Sequence, residues 1–343
     1  MATYGITGGG GFIGQHVTKE LISRGHQVVI LDHSKRTESD SRAELFLADV
    51  RDKTAVFEFA AHVDGIIHLS AVLGTQETIG NPGPAIETNM LGGINVLEAA
   101  RQYSLPLVYA GVGNYWMLNT YSSTKHAIER LLYQFRDEFN LPFATVRPVN
   151  AYGPGQRVAP PFGPGKVKKI MPAFVCRALT GSPLEVYGDG NQISDMVYVG
   201  DVAIVFSETL EQLASGNVPK FPVEVGPLNS ITVLMVAEEV IRQAKKIVNL
   251  ESEIIKLPMR PGEKDKSDVP NEFLAGIVSQ LPSNTDARIV KRKLRELGTT
   301  VSADTSTLEQ INIDPKTFLD FESGCHKTVE WFHQHKGLTW QPS

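Results

Sequence analysis

Two cysteines in 343 residues, Cys176 and Cys325, stand far apart in the chain. That scarcity excludes a disulfide framework and fits a reducing compartment. A basic excess is lacking too: 33 Lys and Arg face 38 Asp and Glu, a formal net charge of −5. No nucleic-acid partner is therefore expected. No run of about 18 apolar residues is present, so no membrane span is expected. The opening MATYGITGGGG lacks a basic segment followed by an apolar one, so it does not read as a secretory leader. The expectation is a cytoplasmic protein with no metal site. Internal repeats and low-complexity tracts are missing as well. Hydrophobic residues make up 42% and charged residues 21%, ordinary values for a globular chain. The length suits one large domain or two smaller ones.

The first half alternates short apolar runs with segments of helical period. Strands are expected at residues 3–7, 27–31, 45–48, 65–69, 105–110 and 143–147, and helices at 12–24, 54–61, 89–103 and 121–139. Gly25 is placed to end the first helix. Such alternation implies parallel pairing through right-handed crossovers. The fold class is then α/β, with a Rossmann-type doubly wound parallel sheet. Residues 153–165 (GPGQRVAPPFGPG) hold too much Gly and Pro for anything but loop. Residues 197–213 read as a strand–helix unit returning to the sheet, and 222–226 as a last strand. The expected division is a sheet domain over residues 1–165 plus about 196–228. A smaller, discontinuous α/β lobe would take about 166–195 and 229–343.

The glycines carry the first chemical motif. Gly9, Gly11 and Gly14 fit G-x-G-x-x-G, and Gly8, Gly11 and Gly14 fit G-x-x-G-x-x-G equally well. Glycine is needed where a backbone turns tightly and approaches a pyrophosphate with no Cβ in the way. The helix opening at Phe12 and Ile13 would aim its free N–H groups at that anion. Asp32 follows 18 residues after Gly14, at the end of the next strand. A carboxylate there accepts the ribose hydroxyls of a dinucleotide. It also repels a 2′-phosphate and so favours NAD over NADP. Lys35 and Arg36 are the residues that would hold such a phosphate, or else form a solvated loop.

The second motif is Tyr121-Ser-Ser-Thr-Lys125. Residues four apart share one helix face. A lysine ammonium beside a phenol favours phenolate, drawing its pKa from about 10 toward neutrality. Such a tyrosine takes a proton from a sugar hydroxyl while hydride leaves the same carbon for nicotinamide. Y-x-x-x-K alone occurs on many helices by chance. On the helix after the fifth strand of a dinucleotide fold it becomes specific.

With these motifs in place, the chain resembles the extended short-chain dehydrogenase/reductase family, in particular its nucleotide-sugar epimerases and dehydratases. The motifs named above, with Asp49-Val50, His68-Leu-Ser-Ala71, Asn89, Arg147-Pro-Val-Asn-Ala-Tyr-Gly-Pro154, Tyr187-Gly-Asp-Gly190, Tyr198-Val-Gly-Asp201, Arg260-Pro-Gly-Glu263 and Ala303-Asp-Thr-Ser306, fall in family order over nearly the whole chain. The resemblance makes the larger domain NAD-binding and the smaller lobe substrate-binding. It implies that Asp49 and Val50 touch adenine. Leu69, Ser70 and Ala71 would line the dinucleotide pyrophosphate and nicotinamide ribose, with Asn89 and Lys125 also on the cofactor side. The implied contacts to a nucleotide-diphosphate sugar are Thr75, Asn114, Asn150, Tyr187 at the base and Arg260 at the pyrophosphate. A homodimer is implied as well, through the helices at 89–103 and 121–139. The second carries apolar Ala127, Ile128, Leu131, Leu132 and Phe135.

Three departures bear on the reaction. Val112 stands where the family places a Ser or Thr beside the reacting hydroxyl. Gly113 and Asn114 stand where its dehydratases carry an Asp-Glu pair. Ser194 replaces a phosphate-binding arginine, whose charge Arg260, Lys166, Lys168 or Lys169 would have to supply. Extra residues after Glu263 include a basic, helix-like stretch at 286–297, read as a solvated face or as a partner surface or lid. The leading expectation is an NAD-dependent epimerase working through a transient 4-keto sugar. The alternatives are a 4-ketoreductase, an unusual dehydratase, or a non-catalytic binding protein for NAD or a nucleotide sugar.

Overall fold

The computed structural model describes residues 1–34, 40–113, 119–259 and 303–335. Lys35, Arg36, Asn114, Tyr115, Arg260 and the basic stretch at 286–297 lie outside the described residues. The first half runs β1 (Thr3–Thr7), α1 (Phe12–Ser23), β2 (Gln27–Asp32), β3 (Glu44–Leu47), α2 (Lys53–Ala60) and β4 (Gly65–His68). A π-helical segment, Ile86–Gly92, leads into α3 (Gly93–Gln102), then β5 (Leu107–Ala110), α4 (Thr120–Phe139) and β6 (Phe143–Pro148). The rest comprises β7 (Ala151–Tyr152), α5 (Ile170–Leu179), β8 (Leu184–Tyr187), β9 (Val197–Tyr198), α6 (Val199–Ala214), β10 (Val223–Val225), α7 (Val233–Val248), β11 (Ile254–Leu257) and α8 (Phe321–Gln334).

The inner strands of the first half are short and apolar, the composition of strands covered on both faces, whereas the edge strand β3 is largely exposed. They join a seven-stranded sheet in the order β10-β6-β5-β4-β1-β2-β3. Every described pairing within it is parallel. The order reverses between β1 and β4, and doubly wound sheets bind ligands at the carboxyl ends of the strands beside such a switch. On one face Val17 and Leu21 of α1 pack with Val202, Phe206 and Leu210 of α6. On the other, Phe59 of α2, Val96 and Leu97 of α3, and Ile128 and Leu132 of α4 cover the sheet. Fully burying such side chains contributes roughly 1.5–3 kcal/mol each.

A further apolar cluster unites α5, β8, α7 and α8, with Tyr152, Val158 and Phe162 from the loop after β6. Leu308 and Ile311, on a 3-10 turn at Thr305–Ile311, instead pack against the sheet cluster beside β10. Two readings of the sequence need correction. The strand read at 197–213 does not return to the main sheet: β9 is two residues long and pairs with β7 in a separate ladder. The edge beside β6 is already taken by β10. The helix read from Asn89 begins earlier, because the π-helical turn at Ile86–Gly92 continues directly into α3. Among the described residues, no helix is long and apolar enough to cross a membrane.

Candidate active site

The loop between β1 and α1 is crowded by its own backbone. A Cβ on Gly14 would lie 2.5 Å from the Gly8 carbonyl oxygen and 2.6 Å from Gly9 Cα. Gly8 has φ +71°, and a Cβ there would sit 2.9 Å from the Ser70 nitrogen. Helix α1 is capped by Gly11, which offers no side-chain acceptor. The first N–H groups of a helix have no partner within it, so those of Phe12 and Ile13 face the loop as a ready anion site. Asp32 ends β2 almost fully buried. Its Oδ2 accepts from the Gly10 N–H at 3.1 Å and its Oδ1 from the Ser34 N–H at 3.2 Å.

A chain of contacts leads from this cradle to the Tyr–Lys helix. Leu69 N–H donates to the Thr7 carbonyl at 3.0 Å, which lays residues 69–71 beside the glycines. Asn89, in the π-helical turn, holds Val72 on both sides. Its Oδ1 accepts from the Val72 N–H at 2.8 Å, and its Nδ2 donates to the Val72 carbonyl at 3.2 Å. The same Nδ2 donates to Thr124 Oγ1 at 3.1 Å, on the residue just before Lys125. Asn89 therefore braces the loop to the helix. Asp49 and Val50 lie near Asp32, the Ala48 N–H bonding the Asp32 carbonyl at 3.0 Å. The Asp49 carboxylate is paired with Arg51 at 2.8 Å, while Asn95 Nδ2 donates to the Val50 carbonyl at 3.0 Å.

Helix α4 starts where it does because Asn119 caps it, its side chain accepting from the Ser122 N–H at 2.9 Å. That places Tyr121 in the first turn, its N–H donating to Thr78 Oγ1 at 3.3 Å. Lys125 is only 2% exposed. Its ammonium lies 4.1 Å from the centroid of the Tyr109 ring, and the Tyr109 hydroxyl donates to the Lys125 carbonyl at 3.1 Å. Burial pushes the Tyr121 phenol up to about 12. Burial likewise brings Lys125 down to about 7, against an opposing pull from Glu129. The expectation of a phenol drawn toward neutrality is thus not met in the protein alone. Desolvation disfavours the charged form of each.

His68 is buried beside this pair. Thr7 Oγ1 accepts from the Ser70 N–H at 3.4 Å and shares a hydrogen bond with His68 Nδ1 at 2.6 Å. Burial, with the charge of Lys125, pushes His68 down to about 3 and keeps it neutral. Val112 is buried just past β5, with no polar atom to offer. Thr75 is partly exposed on the loop after residue 71. Tyr187 lines an open cavity of about 350 Å³ with Gln76, Glu77, Lys166 and Lys168. Asn150 is exposed, its Nδ2 3.5 Å from Ser194 Oγ. Tyr109, Thr124, Thr78 and Asn95 carry no motif in the sequence. Only their partners in space mark them.

The cradle fits a dinucleotide: close-packed glycines, an open helix N-terminus and a buried carboxylate one strand away. In Gly14→Ala the new methyl meets backbone, not a side chain that can yield. Overpacking of this kind costs about 1–3 kcal/mol. Calorimetry is expected to find NAD binding weakened about tenfold or more, and wild-type affinity would contradict this placement.

Comparison with known proteins points the same way. Residues 5–226 match the NAD dependent epimerase/dehydratase family. A UDP-N-acetyl-alpha-D-glucosaminuronate decarboxylase of Bacillus cytotoxicus is 28% identical, the match covering 96% of this chain and 97% of that one. A putative UDP-glucose 4-epimerase of Methanocaldococcus jannaschii is 32% identical over 58% of this chain and 70% of its own. A UDP-glucose 4-epimerase of Thermus thermophilus, solved in complex with NAD, superposes with a TM-score of 0.70 at 25% identity, covering 96% of this chain and 99% of that one. An epimerase of Methanothermobacter thermautotrophicus shares the fold at a TM-score of 0.78 and 21% identity, covering 98% of this chain and 94% of its own. NAD is the cofactor, and the chain belongs to the NAD dependent epimerase/dehydratase family.

Proposed function

We propose that this chain epimerises a nucleotide-diphosphate sugar through a transient 4-keto intermediate. The observation that carries the reading is the continuous bracing from the glycine cradle through Ser70, Val72, Asn89 and Thr124 to Tyr121 and Lys125. It sets a proton-carrying phenol beside the place where a dinucleotide fits. NAD supplies, when bound, an acceptor that takes a hydride from the sugar and returns it. In its phenolate form, its own proton first given up to solvent, Tyr121 takes the proton of the reacting hydroxyl as the carbon is oxidised, and as the phenol it gives that proton back on reduction. Lys125 places a cation beside the phenol and the nicotinamide ribose, so that charge developing on oxygen is opposed. Asp32 takes the adenosine ribose, and Asp49 and Val50 flank the adenine. Phe12, Ile13 and residues 69–71 face the pyrophosphate and nicotinamide ribose.

On the substrate side, the cavity at Tyr187 supports the same reading. Lys166 and Lys168 line it together, and two ammonium groups suit a diphosphate. The tyrosine ring offers a face to the base, and Thr75 and Asn150 are read as further contacts to the sugar nucleotide. The lobe built from α5, β8, α7 and α8 is read as the substrate lobe. Val112 leaves the reacting oxygen to Tyr121 alone.

A second reading rests on the decarboxylase relative, whose match spans nearly the whole chain. Oxidation of a uronic acid at C4 gives a β-keto acid. Such an acid loses CO2 by breaking the C5–C6 bond, and C5 then takes a proton. The two readings share every step up to the ketone.

Part of the apolar row on α4 remains open. Ile128 and Leu132 are buried, whereas Ala127, Leu131 and Phe135 stay partly accessible. We read this row as the contact with a second copy. Light scattering is expected to give twice the chain mass, and a monomer at micromolar concentration would contradict it.

A panel of nucleotide sugars followed by NMR tests the reaction. Inversion at one sugar carbon is expected, and release of CO2 from a nucleotide uronate would favour the second reading. Tyr121→Phe is expected to lower turnover by about 10² to 10⁴ while NAD stays bound. Lys166→Met with Lys168→Met should raise KM more than it lowers kcat. No conversion of any sugar, or wild-type turnover in Tyr121→Phe, would overturn the reading.

A further inference from the structure

Tyr121, Lys125 and Glu129 follow one another at four-residue steps and so share a face of α4. Glu129 is 1% exposed and takes no part in the chemistry described above. Its carboxylate grips a guanidinium from the neighbouring strand: Arg147 Nη2 donates to Oε1 at 2.6 Å and Nε to Oε2 at 3.3 Å. On its far side Arg147 Nη1 lies 3.8 Å from Glu224 Oε1 on β10. Glu224 Oε2 in turn accepts from the Asp304 N–H at 2.7 Å. A row of alternating sign thus runs under the site: Lys125, Glu129, Arg147, Glu224.

Glu129 is buried one turn along α4 from Lys125, and its negative charge favours the charged form of the lysine where water is excluded. The other groups facing Lys125 do not substitute for Glu129. From β4 comes His68, neutral and without charge to lend. From β5 comes Tyr109, which offers its ring face and remains un-ionised, its phenol raised by burial. Tyr121, on the same helix, is likewise a neutral phenol. His126, the partly exposed neighbour on α4, lies 3.9 Å from Glu129 Oε2. On the helical segments packed against α4, Glu87 pairs with Arg51 and Glu98 with Lys53, at the surface. Burial works to raise the Glu129 carboxyl, yet His126 and Arg147 hold it below its ordinary value, so it stays an anion.

We propose that Glu129 is a positioning residue for the Tyr121/Lys125 pair, its Arg147-anchored carboxylate held on the helix face below Lys125 to favour the ammonium form. This rests on the reading of Tyr121 and Lys125 as the catalytic pair. The sign of its removal follows. Glu129 favours the charged lysine. Loss of the carboxylate lowers the pH at which Lys125 gives up its proton, and the alkaline limb of the rate profile moves down with it.

The test is ¹⁵N NMR of lysine Nζ across pH, with Lys125 assigned by its absence in Lys125→Met, beside the pH profile of kcat/KM. Glu129→Gln is expected to lower the Lys125 midpoint by about one pH unit or more, a tenfold shift in protonation. Glu129→Asp, which keeps the charge, should restore most of it. Glu129→Gln with Arg147→Gln sets two amides in place of the buried pair and serves as the variant that keeps the packing. Its midpoint also falls, because Glu129 is the ionic group that acts on Lys125. A midpoint that stays put in a folded variant overturns the proposal, since a merely structural pair would not move it. A midpoint that falls while the kinetic limb stands still overturns the catalytic reading of the pair instead. If neither variant folds, the pair serves the fold and the proposal is overturned.

Discussion

A lysine ammonium taken almost wholly out of water is the constraint on which the site depends. An isolated charge in such a place is expensive and tends to neutralise itself. Here the surroundings are arranged against that outcome. An aromatic face lies against the ammonium, a carboxylate stands one turn along the helix, and that carboxylate is itself anchored. The anchoring ties together β5, α4, β6, β10 and the segment at Asp304, elements drawn from distant parts of the chain. Breaking a buried pair by removing one partner is far more costly than replacing both, so these elements are bound to one another through the charge they surround. In the protein alone burial still brings the lysine down to about 7 and lifts the phenol to about 12. The lysine is thus held close to a change of protonation state at neutral pH, while the phenol is held in its protonated form.

The second requirement is close approach. Helix α1 begins against its own loop so tightly that no side chain is tolerated at Gly14. Its open N-terminus and the neighbouring residues 69–71 face the switch in strand order. Asn89 then fixes the distance from this cradle to the phenol, because one carboxamide bonds both the loop and the catalytic helix. The π-helical turn that carries Asn89 re-aims one residue without ending the helix, as such turns do at functional sites.

Much of this was legible in the sequence because the relevant signals are local. The strand, the glycines and the helix after them are contiguous, and Asp32 closes the very next strand. Tyr121 and Lys125 sit at a spacing that any helix converts into a shared face. What stayed hidden depends on contacts distant in sequence. Glu129 meets Arg147 across 18 residues, and Glu224 meets Asp304 across 80. Tyr109 is one apolar-looking residue in a buried strand until its ring is seen on the ammonium. The two-residue strand β9 misled because its composition suits a central strand, yet the sheet edge was occupied. The phenol's pKa was misjudged for a different reason: sequence spacing conveys the neighbouring charge but not the loss of water around it.

The family membership, the cradle and the buried pair are the ground for the proposed oxidation and re-reduction at one sugar carbon. Val112 is buried just past β5 and offers no hydroxyl there, and in the proposed mechanism the phenol carries the proton. The most direct measurement uses a nucleotide sugar deuterated at the reacting carbon, turned over in ordinary water. Because the hydride returns to the carbon it left, the inverted product is predicted to keep its deuterium there. Loss of the label to solvent would mean that the carbon was inverted by proton exchange, and it would contradict the account.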